Sequence, residues 1–477
     1  MGDTASTEAA GPPKEPEPPH LADEARWYTE HTALLISTTK WALLGGVAGV
    51  CVGEATRAFL WSLDASSRLV SLLTRGLPPY WLLPLALPAC VWLIRTFAPS
   101  ARGHGTEAVI AAVHQASGKV DWKVAPVKLL ATVLTLAFGG SVGKEGPCAQ
   151  IGAAITSLFA DLLRLRDEDR RRLVICGIGA GFAAVFGTPV SGALFGIEVL
   201  YLGRIEYPVL FPCLVAGIVA HLVCGVRAPV PALHADMQFL QHRAIVPLSI
   251  ALGALFGLIA LLLIEAMRGL ERALRRFERH PYLVAVAGGL ALAVFYAAVG
   301  DLYAGLGTGV IESALAGTAR LFVLAFFFKI VATTVTLETG GSGGIVTPLF
   351  FIGATSGAAL STAVGLPSSV FAAFGFVSVL AAAANTPIAA AVMGMELLPT
   401  ELGVYAALCA GTAFLIVGHR SVYASQKLGF TKSAGLEVPL DVPVGEVLRA
   451  GVRIRKGSLT DFVHQRVRRG TGGARRP

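Results

Sequence analysis

Long apolar runs without a charge constrain this chain more than any other feature of its sequence. Ile245–Ile264 is a run of twenty such residues, and Tyr282–Gly300 is a run of nineteen. About 20 residues of this kind are enough for a helix to cross a bilayer. Similar runs recur between Leu34 and Val417, and only 15% of all residues are charged. A soluble domain needs about 25%, so we predict that nearly the whole chain lies in a membrane.

Glycine and proline interrupt several of these runs, and the chain contains 54 glycines and 26 prolines. Irregular backbone at membrane depth is tolerated only where protein covers it or where it lines a wet cavity. Short segments of this kind, such as Leu129–Phe138 before a glycine cluster, mark the binding sites of transporters. We therefore predict an all-α polytopic membrane protein of about 16–18 helices, many of which do not span fully.

Two motifs recur in the same order along the chain. The pairs are Gly139–Pro147 with Gly340–Pro348, and Thr188–Glu198 with Thr386–Glu396. The first pair is offset by 201 residues and the second by 198, which indicates a duplicated unit. Repeats in membrane transporters are often inverted, with the substrate between them. We therefore predict a transmembrane domain at 31–430, built from halves at about 31–225 and 245–430.

The glycine motifs carry the chemistry that the sequence suggests. Pro147 and Pro348 are expected near helix starts, where unpaired N–H groups and the helix dipole attract anions. The preceding glycines let several N–H groups converge. Two helix ends directed at one point predict an anion site without a full positive charge, which suits a pore. Glu145 lies beside one of these ends and is either a surrogate anion or a proton carrier.

Two enzyme motifs are partly matched, and both are rejected. Gly139-x-Ser141-x-Gly143 fits the nucleophile elbow of hydrolases, but no preceding strand and no His and acid partners accompany it. Gly143-Lys144 fits part of a phosphate loop, whose first glycine and final Ser or Thr are missing. We predict that the protein is not an enzyme. A membrane-embedded enzyme, or a receptor that only binds its ligand, is the alternative from another class.

These residues, in this order, resemble the CLC family of chloride channels and chloride/proton antiporters over about residues 30–430. The matching segments are Gly143–Pro147 (G-[KR]-E-G-P in the family), Gly344–Pro348 (G-x-F-x-P, with valine for phenylalanine), Gly103–Glu107 (G-S-G-I-P) and Ser421–Tyr423. The resemblance implies chloride as the substrate, no cofactor or metal, and a homodimer with one pore in each subunit.

The resemblance also implies two chloride sites. The inner site would be formed by N–H groups of Ile345 and Val346, the Tyr423 hydroxyl and the side chain of His104. The outer site would use N–H groups of the segment that contains Gly143, Lys144, Glu145 and Gly146. The carboxylate of Glu145 would fill this outer site alternately with chloride and would therefore be the gate.

Several positions depart from the family pattern. His104 replaces a serine, although a ring N–H can still donate to an anion, and Glu107 replaces a proline. The family's antiporters carry an inner glutamate that hands protons to the cytoplasm, and here that position is Val199. We therefore favour channel-like, uncoupled chloride transport, with chloride/proton antiport as the alternative. Protons would then need water or a displaced acid such as Glu107 or Glu206.

Two further points limit these expectations. Another anion, such as nitrate or fluoride, is a more distant alternative to chloride. Glu198, next to the missing proton acceptor, is expected to cap or brace the repeat, because Glu396 occupies the mirrored position without a proton role.

The net charge of +8 is concentrated outside the apolar runs. Arginines crowd two predicted loops, at 164–172 and 268–279, and the segment from Arg449 on has nine Lys or Arg and one acid, Asp461. Cytoplasmic loops collect such residues, so we predict a multi-pass cell-membrane protein with both termini in the cytoplasm. The basic tail at 431–477 is expected to contact anionic lipid and is too short for a CBS pair.

The remaining features exclude other partners. Residues 1–30 are polar and rich in proline, which predicts a disordered tail. No module for nucleic-acid binding accompanies the basic residues. The seven cysteines stand singly in apolar stretches, so neither a metal site nor a disulfide framework is predicted.

Overall fold

The computed structural model describes residues 19–226, 239, 243–318 and 323–472. The chain divides into two compact units, Met1–Leu43 and Leu44–Pro477. The described part of the first unit is helical, and the second unit holds the predicted site.

Eighteen α-helices are found within the described ranges. In chain order they are α1 Pro19–Thr74, α2 Leu83–Phe97, α3 Thr106–Gln115, α4 Val124–Ala137, α5 Glu145–Leu162, α6 Asp167–Phe186, α7 Pro189–Glu198, α8 Leu210–Cys224, α9 Ile245–Leu274, α10 Pro281–Val299, α11 Thr308–Leu315, α12 Ala325–Glu338, α13 Val346–Val364, α14 Ser368–Ala384, α15 Pro387–Leu397, α16 Thr400–Ile416, α17 Val444–Ala450 and α18 Leu459–Gly472. Short 3₁₀ helices lie at Pro79–Leu82, Pro99–Ala101, Tyr207–Val209, Arg275–Phe277 and Asp301–Tyr303.

Four two-residue strands complete the described structure. They are β1 Tyr201–Leu202, β2 Lys427–Leu428, β3 Leu436–Glu437 and β4 Arg453–Ile454. β1 pairs with β2 in parallel, with Tyr201 opposite Lys427, and β3 pairs with β4 in antiparallel fashion. The β1–β2 pair joins the end of the first predicted half to the segment that follows α16.

Within the described residues, six helical segments are long and apolar enough to cross a membrane, and the other apolar helices there are shorter. The six are Trp27–Thr74, Pro79–Phe97, Tyr207–Cys224, Ile245–Phe277, Pro281–Val299 and Val346–Val364. The prediction of an all-α membrane protein with about 16–18 helices, many of them not spanning, is therefore confirmed.

Helix packing at the centre depends on glycine. A Cβ on Gly152 of α5 would collide with the carbonyl oxygen of Gly177 in α6. A Cβ on Gly353 of α13 would collide in the same way with the carbonyl of Gly375 in α14. Glycine lets helix backbones approach closely in membrane proteins. The glycines of the second contact follow those of the first by the same offsets as the repeated motifs. The central helix pair therefore packs in the same way in each half.

The polarity of the described surface is that of a membrane protein. Large apolar side chains of α9 and α10 are exposed, including Leu258 and Leu283 at 53% and 67%. The side chains of α14 from Val370 to Ala384 are buried instead. An apolar exterior around a buried apolar centre is stable when lipid is the solvent.

Two sequence predictions need correction. Residues 1–18 of the predicted disordered tail lie outside the described residues, but the chain is helical from Pro19 on. Proline is tolerated in the first turn of a helix, and the residues that follow are good helix formers. The arginines at 170–172, 268 and 272 lie at the ends of α6 and α9 rather than in loops. Arginine has a high helix propensity, so charge alone did not mark the helix ends.

Candidate anion-binding site

The two glycine motifs meet at one point. The N–H group of Gly143 donates to the carbonyl oxygen of Gly344 at 2.6 Å, and the N–H group of Gly344 donates to the carbonyl of Gly143 at 2.6 Å. Lys144 and Ile345, which directly precede α5 and α13, have nearly the same backbone angles, with φ −103° in both and ψ −16° and −14°. Two helices therefore begin side by side in equivalent conformations, one from each half.

Each motif is held by a threonine from the other half. The N–H group of Ser141 donates to Thr336 Oγ1 at 3.1 Å, and the N–H group of Ser342 donates to Thr135 Oγ1 at 3.0 Å. Both serines are fully buried. The reciprocal bonds fix the two glycine segments against each other across the interface between the halves.

Pro147 and Pro348 are the third residues of α5 and α13 and so lie in their first turns, as predicted. The first N–H groups of a helix have no acceptor within it, and they carry the positive end of the helix dipole. The groups that the resemblance assigns to the anion, from Gly143 to Gly146 and at Ile345 and Val346, are thus gathered around the paired helix starts.

The carboxylate of Glu145 is bound at this point. Its Oε2 atom accepts hydrogen bonds from the N–H group of Lys144 at 3.1 Å and from the N–H group of Thr347 at 3.1 Å. The Thr347 hydroxyl donates to the same oxygen at 2.5 Å. Glu145 is only 1% exposed. The carboxylate therefore occupies a position that an anion could take, with donors from both halves.

A small cavity of about 20 Å³ adjoins the carboxylate. Its lining includes the polar residues Lys144 and Thr347 and the aromatic residues Phe186, Phe350 and Phe376. The rings of Phe350 and Phe376 stack at 4.1 Å, and Phe186 meets Phe350 edge-on at 4.9 Å. A volume of this size holds about one water molecule, so a single desolvated ion would fill it.

His104 and Tyr423 lie together, as the resemblance implies. Their ring centroids are 5.6 Å apart. Nδ1 of His104 and the hydroxyl of Tyr423 are buried and have no hydrogen-bond partner among the described residues, and the same is true of Thr106 Oγ1. Buried polar groups are normally paired. Three unpaired groups in one place are what an anion site formed by side chains requires.

The loop that carries His104 also contacts the start of α5. A Cβ on Gly146 would collide with the carbonyl oxygen of His104 and would lie 3.1 Å from Cα of Gly344. Only glycine fits between these two backbones. The contact connects the His104 and Tyr423 pair to the paired helix starts.

Two buried lysines anchor the loops beside the site, and the sequence analysis missed both. Nζ of Lys128 donates to the carbonyls of Ala101 and Gly103 at 3.2 and 2.5 Å. Nζ of Lys329 donates in the same way to Tyr303 and Gly305, at 3.1 and 2.8 Å. The two lysines are 201 residues apart, so comparison of the repeats could have found them. Lys128 holds the loop that carries His104.

Val199 is fully buried at the end of α7. Its carbonyl oxygen accepts a hydrogen bond from Gln426 Nε2 at 3.1 Å. The position that the family's antiporters use for a proton acceptor is therefore an apolar part of the core here.

Glu198 and Glu396 have the bracing role that the sequence predicted. Glu198 accepts hydrogen bonds from the first N–H groups of α15, at Ile388 and Ala389, at 3.0 and 2.7 Å. Glu396 accepts two bonds of 2.9 Å from the first N–H groups of α7. A carboxylate is well placed at a helix N-terminus, and here each half supplies the cap for the other.

Comparison with known proteins agrees with this geometry. Residues 85–418 match the family described as Voltage gated chloride channel. The "Chloride/fluoride channel protein" of Pseudomonas syringae pv. tomato is 39% identical over 84% of this chain and 90% of the relative. The chain belongs to the CLC family. The H(+)/Cl(-) exchange transporter ClcA of Vibrio parahaemolyticus is 29% identical over 67% of this chain and 73% of its own length.

Solved CLC structures share the fold. The crystal structure of a CLC-type fluoride/proton antiporter has a TM-score of 0.75 and 28% identity, and the match covers 82% of this chain and 98% of that one. A slow cyanobacterial Cl⁻/H⁺ antiporter has a TM-score of 0.66 at 20% identity, covering 80% and 94%, which supports the fold alone. The inverted-repeat CLC architecture is thus confirmed, and the protein is an anion transporter of the membrane.

Proposed function

We propose that this CLC protein exchanges a small halide, fluoride or chloride, for protons. The observation that carries the proposal is the position of the Glu145 carboxylate, bound by donors from α5 and α13. A carboxylate competes with an anion for these donors only when it is ionised. Loss of a proton and loss of the anion are therefore linked at one group, which is the physical requirement for coupled exchange.

Named relatives favour coupling over the channel-like interpretation that the sequence suggested. That interpretation depended on Val199. A valine there means only that this one position cannot accept a proton, and another group could do so. The ClcA relative is named an exchange transporter and the structural relative a fluoride/proton antiporter. The relative from Pseudomonas syringae is named a channel protein, so uncoupled transport is the second candidate.

The donors of the site favour a small halide, and fluoride in particular. The Tyr423 hydroxyl and the His104 ring can each present a strong O–H or N–H donor. Such donors suit an anion of high charge density, and the cavity next to Glu145 has room for about one water-sized ion. The names of two relatives include fluoride.

A much larger cavity, of about 1340 Å³, reaches His104 from one side of the protein. Arg268, Arg272 and Arg275 line it, together with Gly445 of the C-terminal segment. Basic residues collect on the cytoplasmic side of membrane proteins. This charge pattern supports a cytoplasmic opening, in agreement with a cytoplasmic C-terminus.

The test is an ion-gradient experiment on the reconstituted protein. Vesicles are loaded with fluoride or chloride, diluted into a solution with little halide at equal pH, and followed with a halide electrode and a pH electrode. Coupled exchange predicts that halide leaving the vesicles drives protons inward against their gradient. Halide flux without proton movement would refute coupling and leave the channel-like candidate. Equal rates for the two halides would refute the preference for fluoride.

A further inference from the structure

We propose that Glu107 is the residue that exchanges protons between the large cavity and the anion site. The proposal rests on the proton coupling proposed above and identifies the residue through which protons reach the site. Glu107 stands in the first turn of α3, three residues after His104. The family motif to which this segment is similar has a proline at the position of Glu107.

Two oxygens of the Glu107 side chain have different environments. Oε1 accepts hydrogen bonds from the N–H group and the hydroxyl of Ser425, at 2.8 and 2.6 Å. Oε2 is buried and has no hydrogen-bond partner in the described part of the chain. One oxygen thus fixes the carboxyl group, and the other is available to take and release a proton.

Glu107 lines the large cavity and lies near Tyr423. Both Glu107 and His104 line that cavity, as does Ser425. Tyr423 precedes Ser425 by two residues, and its hydroxyl interacts electrostatically with the carboxylates of both Glu107 and Glu145. The tyrosine is therefore near both acids, one at the large cavity and one at the paired helix starts.

Other acids near the pathway lack the bond that Glu107 forms with the tyrosine segment. Glu206, the second acid that the sequence suggested, forms a two-point ion pair with Arg171 at 2.5 and 2.9 Å. Both oxygens of Glu198 cap α15. Glu338, at the end of α12, lines the same cavity but has no side-chain hydrogen bond to the segment from Ser421 to Gln426 among the described residues.

The charged and titratable groups that face Glu107 come from several elements. Glu271 from α9 and Tyr423 from the segment after α16 interact with it electrostatically. His104 from the loop before α3, Glu338 from α12 and the arginines Arg102, Arg268 and Arg420 line the same cavity. A protonated Glu107 removes one negative charge from a region that also contains Glu271. Proton uptake at Glu107 therefore lowers the electrostatic barrier to an anion that arrives from the cavity.

The transfer involves only O–H bonds. A proton from cavity water binds the Glu107 carboxylate and neutralises it. The acid then gives its proton, through the Tyr423 hydroxyl or water beside it, to the ionised Glu145, so Glu107 becomes anionic again. Protonated Glu145 no longer competes with the halide for the helix N–H groups, and it releases the proton to the opposite side when it is ionised again.

Glu107→Gln tests the proposal in the reconstituted transporter. The amide oxygen can still accept both bonds from Ser425, so the fold is expected to be kept, but the side chain cannot carry a proton. Proton and halide fluxes are recorded together in the same vesicles. Because a positioned proton-transfer group contributes about a hundredfold or more in rate, we expect proton flux to fall by about that factor while halide flux persists.

Two more variants make the result specific. Glu107→Asp keeps the acid and should restore part of the proton flux, which a merely structural role would not predict. Glu338→Gln removes an acid from the same cavity wall and should leave the number of protons per halide unchanged. Equal proton flux in the wild type and in Glu107→Gln would overturn the proposal. A wild type that moves no protons would instead refute the proposed coupling itself.

Discussion

The hydroxyl of Thr347 gives the most direct test of how Glu145 competes with the anion. Thr347→Val removes the hydroxyl and keeps a side chain of similar size. Glu145 Oε2 would still accept the N–H groups of Lys144 and Thr347, both at 3.1 Å. The variant therefore weakens the attachment of the carboxylate without leaving it unpaired.

The size of the effect follows from the bond that is removed. A hydrogen bond to a charged group contributes about 1.5–3 kcal/mol, and each 1.4 kcal/mol or so is a factor of ten in an equilibrium constant. The equilibrium constant for displacement of the carboxylate by the halide should then increase by about tenfold to a hundredfold. The apparent affinity for halide, measured by titration calorimetry with Glu145 ionised, should increase by that factor.

A control on the same helix separates this effect from general loss of a hydroxyl. Thr355 Oγ1 donates to the carbonyl of Phe351 within α13 at 2.7 Å, so Thr355→Val removes a buried hydroxyl that does not touch Glu145. Its halide affinity should match that of the wild type. If Thr347→Val weakens halide binding, the hydroxyl serves the anion rather than the carboxylate, and the competition argument is wrong.

Three further predictions concern the framework of the site. Glu145→Gln cannot ionise, so halide flux should lose its pH dependence, and a pH profile like that of the wild type would exclude this residue as the gate. Lys128→Met should weaken halide binding by about tenfold or more, because the loop that carries His104 loses hydrogen bonds from an ammonium group, each worth about 1.5–3 kcal/mol. Lys329→Met should not, because its loop does not carry His104; equal losses would show that both lysines act only on stability. Gly146→Ala should lower the melting temperature, since overpacking costs about 1–3 kcal/mol, while Gly411→Ala, where nothing lies within 4 Å of the added carbon, should be tolerated in the same melting experiment.

Much of the fold was predictable because a membrane protein needs long apolar segments, which can be recognised directly in the sequence. Uncharged runs predicted the helices, and the 201- and 198-residue offsets predicted two equivalent halves. The same register is seen in the structure in the Gly143–Gly344 bridge and in the reciprocal caps of Glu198 and Glu396. A repeated motif can be compared position by position, so contacts between the halves were expected at those positions.

Side-chain partners across the halves could not be predicted in the same way. Thr347 stands inside a recognised motif, yet its hydroxyl direction depends on how α5 and α13 lie side by side. Glu107 bonds to Ser425, which is 318 residues away. No local pattern marks such a pair, because the two segments meet only after both halves have packed. The helix start at Pro19 was missed for a different reason. A polar, proline-rich composition predicted disorder up to residue 30, but composition does not show how far α1 extends toward the N-terminus.

Both proposed proton carriers depend on contacts between the halves. Glu145 belongs to the first half, and its shortest hydrogen bond comes from Thr347 of the second, at 2.5 Å. Glu107 also belongs to the first half, and Ser425 of the second fixes it at 2.6 Å. The groups proposed to donate hydrogen bonds to the halide also come from both halves. In the proposed exchange, a small displacement of one half against the other would therefore loosen both carboxylates and the anion together, so the interface between the repeats would be the element at which proton and halide binding are coupled.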